Sequence, residues 1–231
     1  MHEALYHLDH FVMSTMSDWT QYSALLNKFI IPFLGQFTVK TLPVFAEIWL
    51  LWFSADVIKY RPAIVDGFVG MFVAGAVSMI LQGGLPQRLR PLHSGDLDFE
   101  PPLGLKTDVA EHWNSFPSDH AAVFFAISTA LWLVSRPIGA ISYAWTIFII
   151  CIPRLFGGIH YASDILGGAV VGILVALLIA PPIGAKLSPY VFAAEKRSTA
   201  LFYAAFFTLS FQFATMFNDV RHIASEIYKL L

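Results

Sequence analysis

The sequence predicts an all-α, polytopic membrane protein: a bundle of about six transmembrane helices forming one domain over residues 1–231. Three observations predict it. Of the 231 residues, 57% are hydrophobic and only 13% charged, with a mean hydropathy of +0.64, whereas soluble domains run at about 45–50% apolar and about 25% charged. Several segments reach the roughly 20 apolar residues that a helix needs to cross a bilayer core. Basic residues fall in short loops that alternate with a long acidic one.

The chain opens with MHEALYHLDHF, which has acids and histidines where a secretory signal would carry positive charge, so no cleavable signal is read. Residues 1–38 are read as a tail followed by an interfacial helix, because 21–37 is apolar at helical spacing but holds Lys28 and a Pro-Phe-Leu-Gly interruption. A seventh span there is the alternative. The first span is centred on 42–54, which carries Glu47. The others are 63–85, 118–135, 139–156, 165–183 and 199–217.

Six spans place Lys59 and Arg61, Arg136, and Lys186, Lys196 and Arg197 on one side. The other side receives both termini and the loop 86–117, with Asp96, Asp98, Glu100, Asp108 and Glu111. Basic short loops stay in the cytoplasm, so the acidic loop is expected outside. The net charge of -2 gives a nucleic-acid partner no footing. Cys151 is the one cysteine, so no internal disulfide forms. The acids of 86–117 show no repeated ligand spacing, and no metal or cofactor is expected.

Three polar clusters then fall at one membrane face. The first is QRLRP, 87–91, where Arg88 and Arg90 supply planar donor forks suited to phosphate oxygens. The second is FPSDHA, 116–121. Pro117 suits a helix start, Ser118 or Asp119 can cap it, and the free N–H groups favour an anion beside His120. The third is RLFGGIHYASDILGG, 154–168. His160 and Asp164 are four apart, so on a helix they share a face, and a carboxylate on one ring nitrogen frees the other to attack. Gly157 and Gly158 let the chain turn sharply between Arg154 and His160 and come close to a ligand. Taken singly, each cluster has a plainer reading: interfacial arginines, a helix cap, or an i,i+4 pair. The remaining histidines (2, 7, 10, 93, 112 and 222) are read as surface or loop residues, and the aromatic residues as lipid-facing packing.

At these residues the chain resembles the type 2 phosphatidic acid phosphatase (PAP2) superfamily. The family signature is a lysine, six residues, then Arg-Pro; a Pro-Ser…His element; and Ser-Arg, five residues, His, three residues, Asp. Arg90-Pro91, Pro117-Ser118-Asp119-His120, and Arg154, His160 and Asp164 match it. The compact PSDH form is similar to that of bacterial undecaprenyl-diphosphate phosphatases. Two positions depart: Gly83 stands for the lysine and Pro153 for the serine, and Arg88 or Lys106 is the candidate substitute for the missing charge.

The resemblance implies a phosphatase that needs no metal. His160 attacks phosphorus, Asp164 holds its ring, and His120 protonates the leaving oxygen. Arg90, Arg154, Ser118 and backbone N–H groups bind phosphate, and Arg88 is added to them on its own chemistry as a planar donor fork. It implies a phosphorylated membrane lipid as substrate, polyprenyl diphosphate first, then phosphatidic acid, phosphatidylglycerophosphate or a lipid A phosphate. The expected setting is a bacterial inner membrane with the site on the periplasmic face. Competing classes are a phosphotransferase using the same histidine, and a non-catalytic lipid-phosphate binder or transporter. A proton-coupled transporter fits less well, because the polar residues sit at span ends rather than at the midplane.

Overall fold

The computed structural model describes residues 2–95, 99–105 and 113–218, together with 220, 223 and 227. Asp96, Asp98, Lys106, Asp108, Glu111, His112 and His222 lie outside the described residues. Runs of apolar helix formers punctuated by prolines at first turns dictate eight main helices: α1 His2–Tyr22, α2 Ala24–Gly35, α3 Phe37–Phe53, α4 Arg61–Gly84, α5 Asp119–Val134, α6 Arg136–Phe156, α7 Ala162–Arg197 and α8 Thr199–Ala214. Arg61-Pro62 and Arg136-Pro137 each start a helix where the missing proline N–H costs nothing.

The six expected spans all coincide with helices. Three of them, α6, α7 and α4 with its leading turn, are long and apolar enough to cross a membrane, and α2 with α3 would form a fourth, bent by 56°. Helices α5 and α8 have 16 residues each, about 24 Å at about 1.5 Å per residue.

Two expectations are corrected. Residues 1–38 are not a tail with one interfacial helix, since α1 packs against α6 and α7 and buries Asp9, Met13, Met16, Ser17 and Thr20 along one stripe. The helix that holds the fifth span does not stop near residue 183, because α7 runs unbroken for 36 residues to Arg197. Pro181 and Pro182 would normally end a helix. Instead the backbone widens into π turns at Val175–Ile179, as it does at Thr146–Cys151 before Pro153. A widened turn accommodates the missing N–H and the ring. Gly184 then lies against Asp66, and Ser188 is buried, so the extension stays packed on α4.

The core sits between α3, α4, α5 and α8, built on Trp52, Phe124, Ile127 and Phe206. Helices α5 and α6 are joined in their apolar interior by hydroxyls: Ser128 Oγ lies 3.0 Å from both Ser142 Oγ and Thr146 Oγ1. Such bonds replace the hydrophobic drive that lipid removes. Helices α5 and α7 cross where Gly168 and Gly172 face Ala121, Ala122 and Ala126, close enough for backbones to touch. That crossing sets the distance between the second and third polar clusters.

Candidate active site

The loops after α4, before α5 and between α6 and α7 meet at one end of the bundle, and backbone bonds lock them together. Leu92 N donates to Gly158 O at 2.8 Å, Ser115 N to Arg88 O at 3.0 Å, and Ser118 N to Asp164 O at 3.0 Å. Asn114 holds the corner: its amide donates to the carbonyls of Gln82, Leu85 and Pro86, and its oxygen accepts from Arg88 N and Phe116 N. Gly158 takes φ +63, and a side chain there would strike the Phe99 ring. The sharp turn is as expected, but the close approach is to Phe99 and, at Gly157, to Leu34, not to a ligand.

His160 stands on this turn ahead of α7, so it and Asp164 do not share a helical face. They meet because Asp164 folds back over the first turn, accepting from Tyr161 N at 2.8 Å in a capping box. His160 Nδ1 donates to Ser115 O at 2.9 Å, while Asp164 Oδ2 stands 3.6 Å off. The tautomer assigned by that carbonyl leaves Nε2 unprotonated, its lone pair accepting from an Arg90 guanidinium nitrogen at 3.4 Å. Asp164 also accepts from Ser115 Oγ and, at 2.7 Å, from Arg88. It therefore stiffens every group around His160.

Burial holds His160 below the ordinary histidine value of 6.5; the Asp164 carboxylate opposes this and the Arg90 guanidinium adds to it. The ring is neutral at pH 7. The unfolded chain takes up this proton near pH 6.5 and the folded one only lower, so stability is lost as pH falls below about 6.5. His160→Gln should flatten that slope in thermal midpoints taken from pH 8 to pH 5. A wild-type slope unchanged by the variant would contradict the assignment.

His120 opens α5 beside it. Both its backbone N, at 2.8 Å, and its ring Nδ1, at 2.9 Å, contact Asp119 Oδ1, which aims Nε2 away from the helix. Ser118 caps the helix through Ala121 N. Arg90 and Arg154 are 6% and 4% exposed. Arg90 donates to Ile159 O at 2.8 Å and Arg154 to Ile150 O at 3.1 Å. Three buried nitrogens here have no partner: Arg90 Nε, Arg154 Nε and His120 Nε2. Buried polar atoms are rarely left so, and all three belong to residues that the sequence reading assigns to phosphate or proton transfer.

Arg88 departs from expectation. Its guanidinium is held by Asp9 at 2.6 Å, Asp164 at 2.7 Å and Ser163 Oγ at 2.8 Å, and lies 3.9 Å over the Tyr161 ring. Two carboxylates neutralise it, so it positions Asp164 rather than replacing the charge missing at Gly83. Lys106, the other candidate, is outside the described residues. A cleft of about 660 Å³ borders this network, lined by Asp9, Arg88 and Tyr161 among others; His120, Arg90, Arg154 and His160 do not line it.

From the sequence, Asp9, Ser115 and Lys40 have no role, and Asp119 only that of a candidate helix cap. Asp9 accepts from Ser163 N and Oγ at 2.8 and 2.6 Å, placing a carboxylate on the α7 N-terminus. Asp9→Ala strands Ser163 N and half of the Arg88 clamp. It should cost about 1–3 kcal/mol, read as a lower unfolding midpoint in detergent; an unchanged midpoint would show that α1 is not anchored this way.

Residues 63–185 match the PAP2 superfamily, just over half of the chain. The chain belongs to the PAP2 superfamily. It is 38% identical over 68 residues to the bacitracin transport permease protein BcrC of Bacillus licheniformis. That match spans 29% of this chain and 32% of the relative. No solved structure matches. The family match contains all three clusters, from Arg90 through His120 to Asp164, and the α4–α7 frame that brings them together.

Proposed function

We propose that this chain is a membrane lipid phosphatase that works without a metal through a phosphohistidine at His160. The observation that carries the reading is the locked imidazole, with its Nδ1 proton given to Ser115 O and its unprotonated Nε2 beside the Arg90 guanidinium. His160 Nε2 forms a bond to phosphorus as the bond from phosphorus to the leaving oxygen breaks. Arg90, Arg154 and the Ser118 hydroxyl proton hold the equatorial oxygens, where transition-state charge gathers. His120, doubly protonated when the phosphate dianion lies beside it, gives its Nε2 proton to the leaving oxygen. The neutral ring then takes a proton from the water that attacks the phosphohistidine, and phosphate leaves with His160 restored.

The favoured substrate is a polyprenyl diphosphate, from the compact PSDH form; phosphatidic acid, phosphatidylglycerophosphate and a lipid A phosphate follow. The proposed setting is the bacterial inner membrane, with the site on its periplasmic face. What supports the side is the basic clusters: Lys59 and Arg61, Arg136, and Lys196 and Arg197 lie at the helix ends opposite the site. The test offers purified protein in EDTA each of these lipids in turn and measures free phosphate. Release from one lipid names the substrate class. Phosphate passed to a second lipid, with none freed, would make the protein a transferase on the same histidine. Lipid binding with neither outcome would leave only a binder and overturn the reading.

A further inference from the structure

Lys40 is a buried basic group that no carboxylate pairs among the described residues. It lies in the first turn of α3, within FTVKTLPVFAEIWLLWF, and is 1% exposed. A charge removed from water is expensive unless something opposite in sign meets it. Among the described residues no carboxylate pairs with Lys40, and its ammonium makes a single hydrogen bond, to Leu34 O at 3.1 Å. An ammonium has three protons to give, so two remain.

Where those protons point is fixed by the neighbours. Lys40 Nζ sits 4.2 Å from the centroid of the Phe37 ring, and that ring stacks on the imidazole of His120, centroids 6.3 Å apart and planes 21° from parallel. Lys40 is in electrostatic range of Arg154, Asp119 and His120. Trp145 Nε1 donates to Lys40 O at 2.7 Å and so pins this turn of α3 to α6. Lys40 thus reaches His120 through the Phe37 ring, and His120 Nε2, Arg154 Nε and Arg90 Nε have no partner among the described residues. At Gly83, the chain position of the family lysine, a side chain would meet nothing within 4 Å among the described residues.

We infer that Lys40, delivered by the break between α2 and α3, is a phosphate ligand of this site and supplies the charge that the chain lacks at Gly83. The inference rests on the phosphatase reading above. In the empty site Lys40 parks one proton on Leu34 O, near the C-terminal end of α2, where a cation is welcome. With phosphate present, the other two protons complete a clamp begun by the arginines.

The competing explanation is that Lys40 only caps α2. Thermal unfolding in detergent, titrated with inorganic phosphate, separates the two. The variants are Lys40→Gln, which keeps a donor for Leu34 O without charge, Lys40→Met, which keeps only the stem, and Lys40→Arg. The wild type and His160→Ala should both be stabilised by phosphate. Lys40→Gln and Lys40→Met should bind it roughly ten- to a hundred-fold more weakly, the size of a lost charge-assisted bond, and Lys40→Arg should retain most of the binding. Unaltered phosphate affinity in Lys40→Gln, with only a lowered midpoint in Lys40→Met, would establish the cap and overturn the inference. Absence of any phosphate effect in the wild type would instead remove the phosphate site itself, and the phosphatase reading with it.

Discussion

On the proposed mechanism His160→Ala should abolish phosphate release, by about 10⁴-fold or more, the scale seen when a covalent nucleophile is removed. No other group takes over, because Nε2 is the one unprotonated ring nitrogen that the turn 157–161 turns toward Arg90, and the Ser115 carbonyl keeps it so. The loss is chemical rather than structural. His160 makes one strong bond, to Ser115 O, and leaving that carbonyl unpaired costs about 1–3 kcal/mol, while the Asp164 contacts to Tyr161 N, Ser115 Oγ and Arg88 survive. A folded His160→Ala protein that still binds inorganic phosphate is the expected state. His120→Asn should fall less, by about 10²–10⁴-fold, as for a lost general acid, and least with a substrate whose leaving group is itself acidic. If His160→Ala kept more than a tenth of wild-type release, another nucleophile would have to exist.

Gly172→Ala has the second large effect, and it acts through packing. A methyl at 172 would fall 2.9 Å from Ala126 N and closer still to Ala122 O, both of them backbone of α5. Flexible side-chain ends can yield, but helix backbone cannot, so α5 and α7 must part. The cost belongs at the upper end of overpacking, about 3 kcal/mol. Activity should go with it, because α5 carries His120 and α7 carries Asp164, and Ser118 N to Asp164 O at 3.0 Å joins them directly. Gly168→Ala should behave alike, with its methyl 2.8 Å from the Ala121 Cβ. Gly84→Ala, where nothing lies within 4 Å, is the matched control and should leave both stability and activity in place. Equal midpoints for Gly172→Ala and Gly84→Ala would show that the tight crossing is not what holds the two clusters in register.

Much of this was legible in the chain because membranes simplify the code. Apolar runs marked every span, and charged residues that survive at span ends marked Arg90, His120, Arg154, His160 and Asp164. What spacing could not supply was geometry that depends on backbone. The His160–Asp164 spacing suggested a shared helical face, yet α7 starts only at Ala162, and a capping box brings the two together. Ser115 acts through its carbonyl, a group every residue has, so no pattern announces it. The helix beyond the apolar segment 165–183 was not legible, because a π turn that accommodates Pro181 and Pro182 has no sequence signature. Arg88 looked like a phosphate fork until Asp9, some eighty residues earlier, was found on it.

Two of the missed residues did leave signals. Asp9 lies on the same stripe as positions 13, 16, 17 and 20, and an acid on the buried face of an amphipathic helix has to be paired. Lys40 is the only cation in a 17-residue apolar helix, and an ionisable group in such a setting is a functional candidate by default. Neither stands at any fixed interval from the three clusters, since α1 to α3 reach the site by packing.

The central claim is that phosphorus passes through a bond to His160. The most direct measurement incubates the protein with a polyprenyl diphosphate radiolabelled in its terminal phosphate, in EDTA, and quenches within a turnover. The account predicts labelled protein whose label is lost in acid and kept in alkali, as a phosphoramidate is, and which is absent from His160→Ala. Phosphate release without labelled protein, or label that persists in His160→Ala, would contradict it.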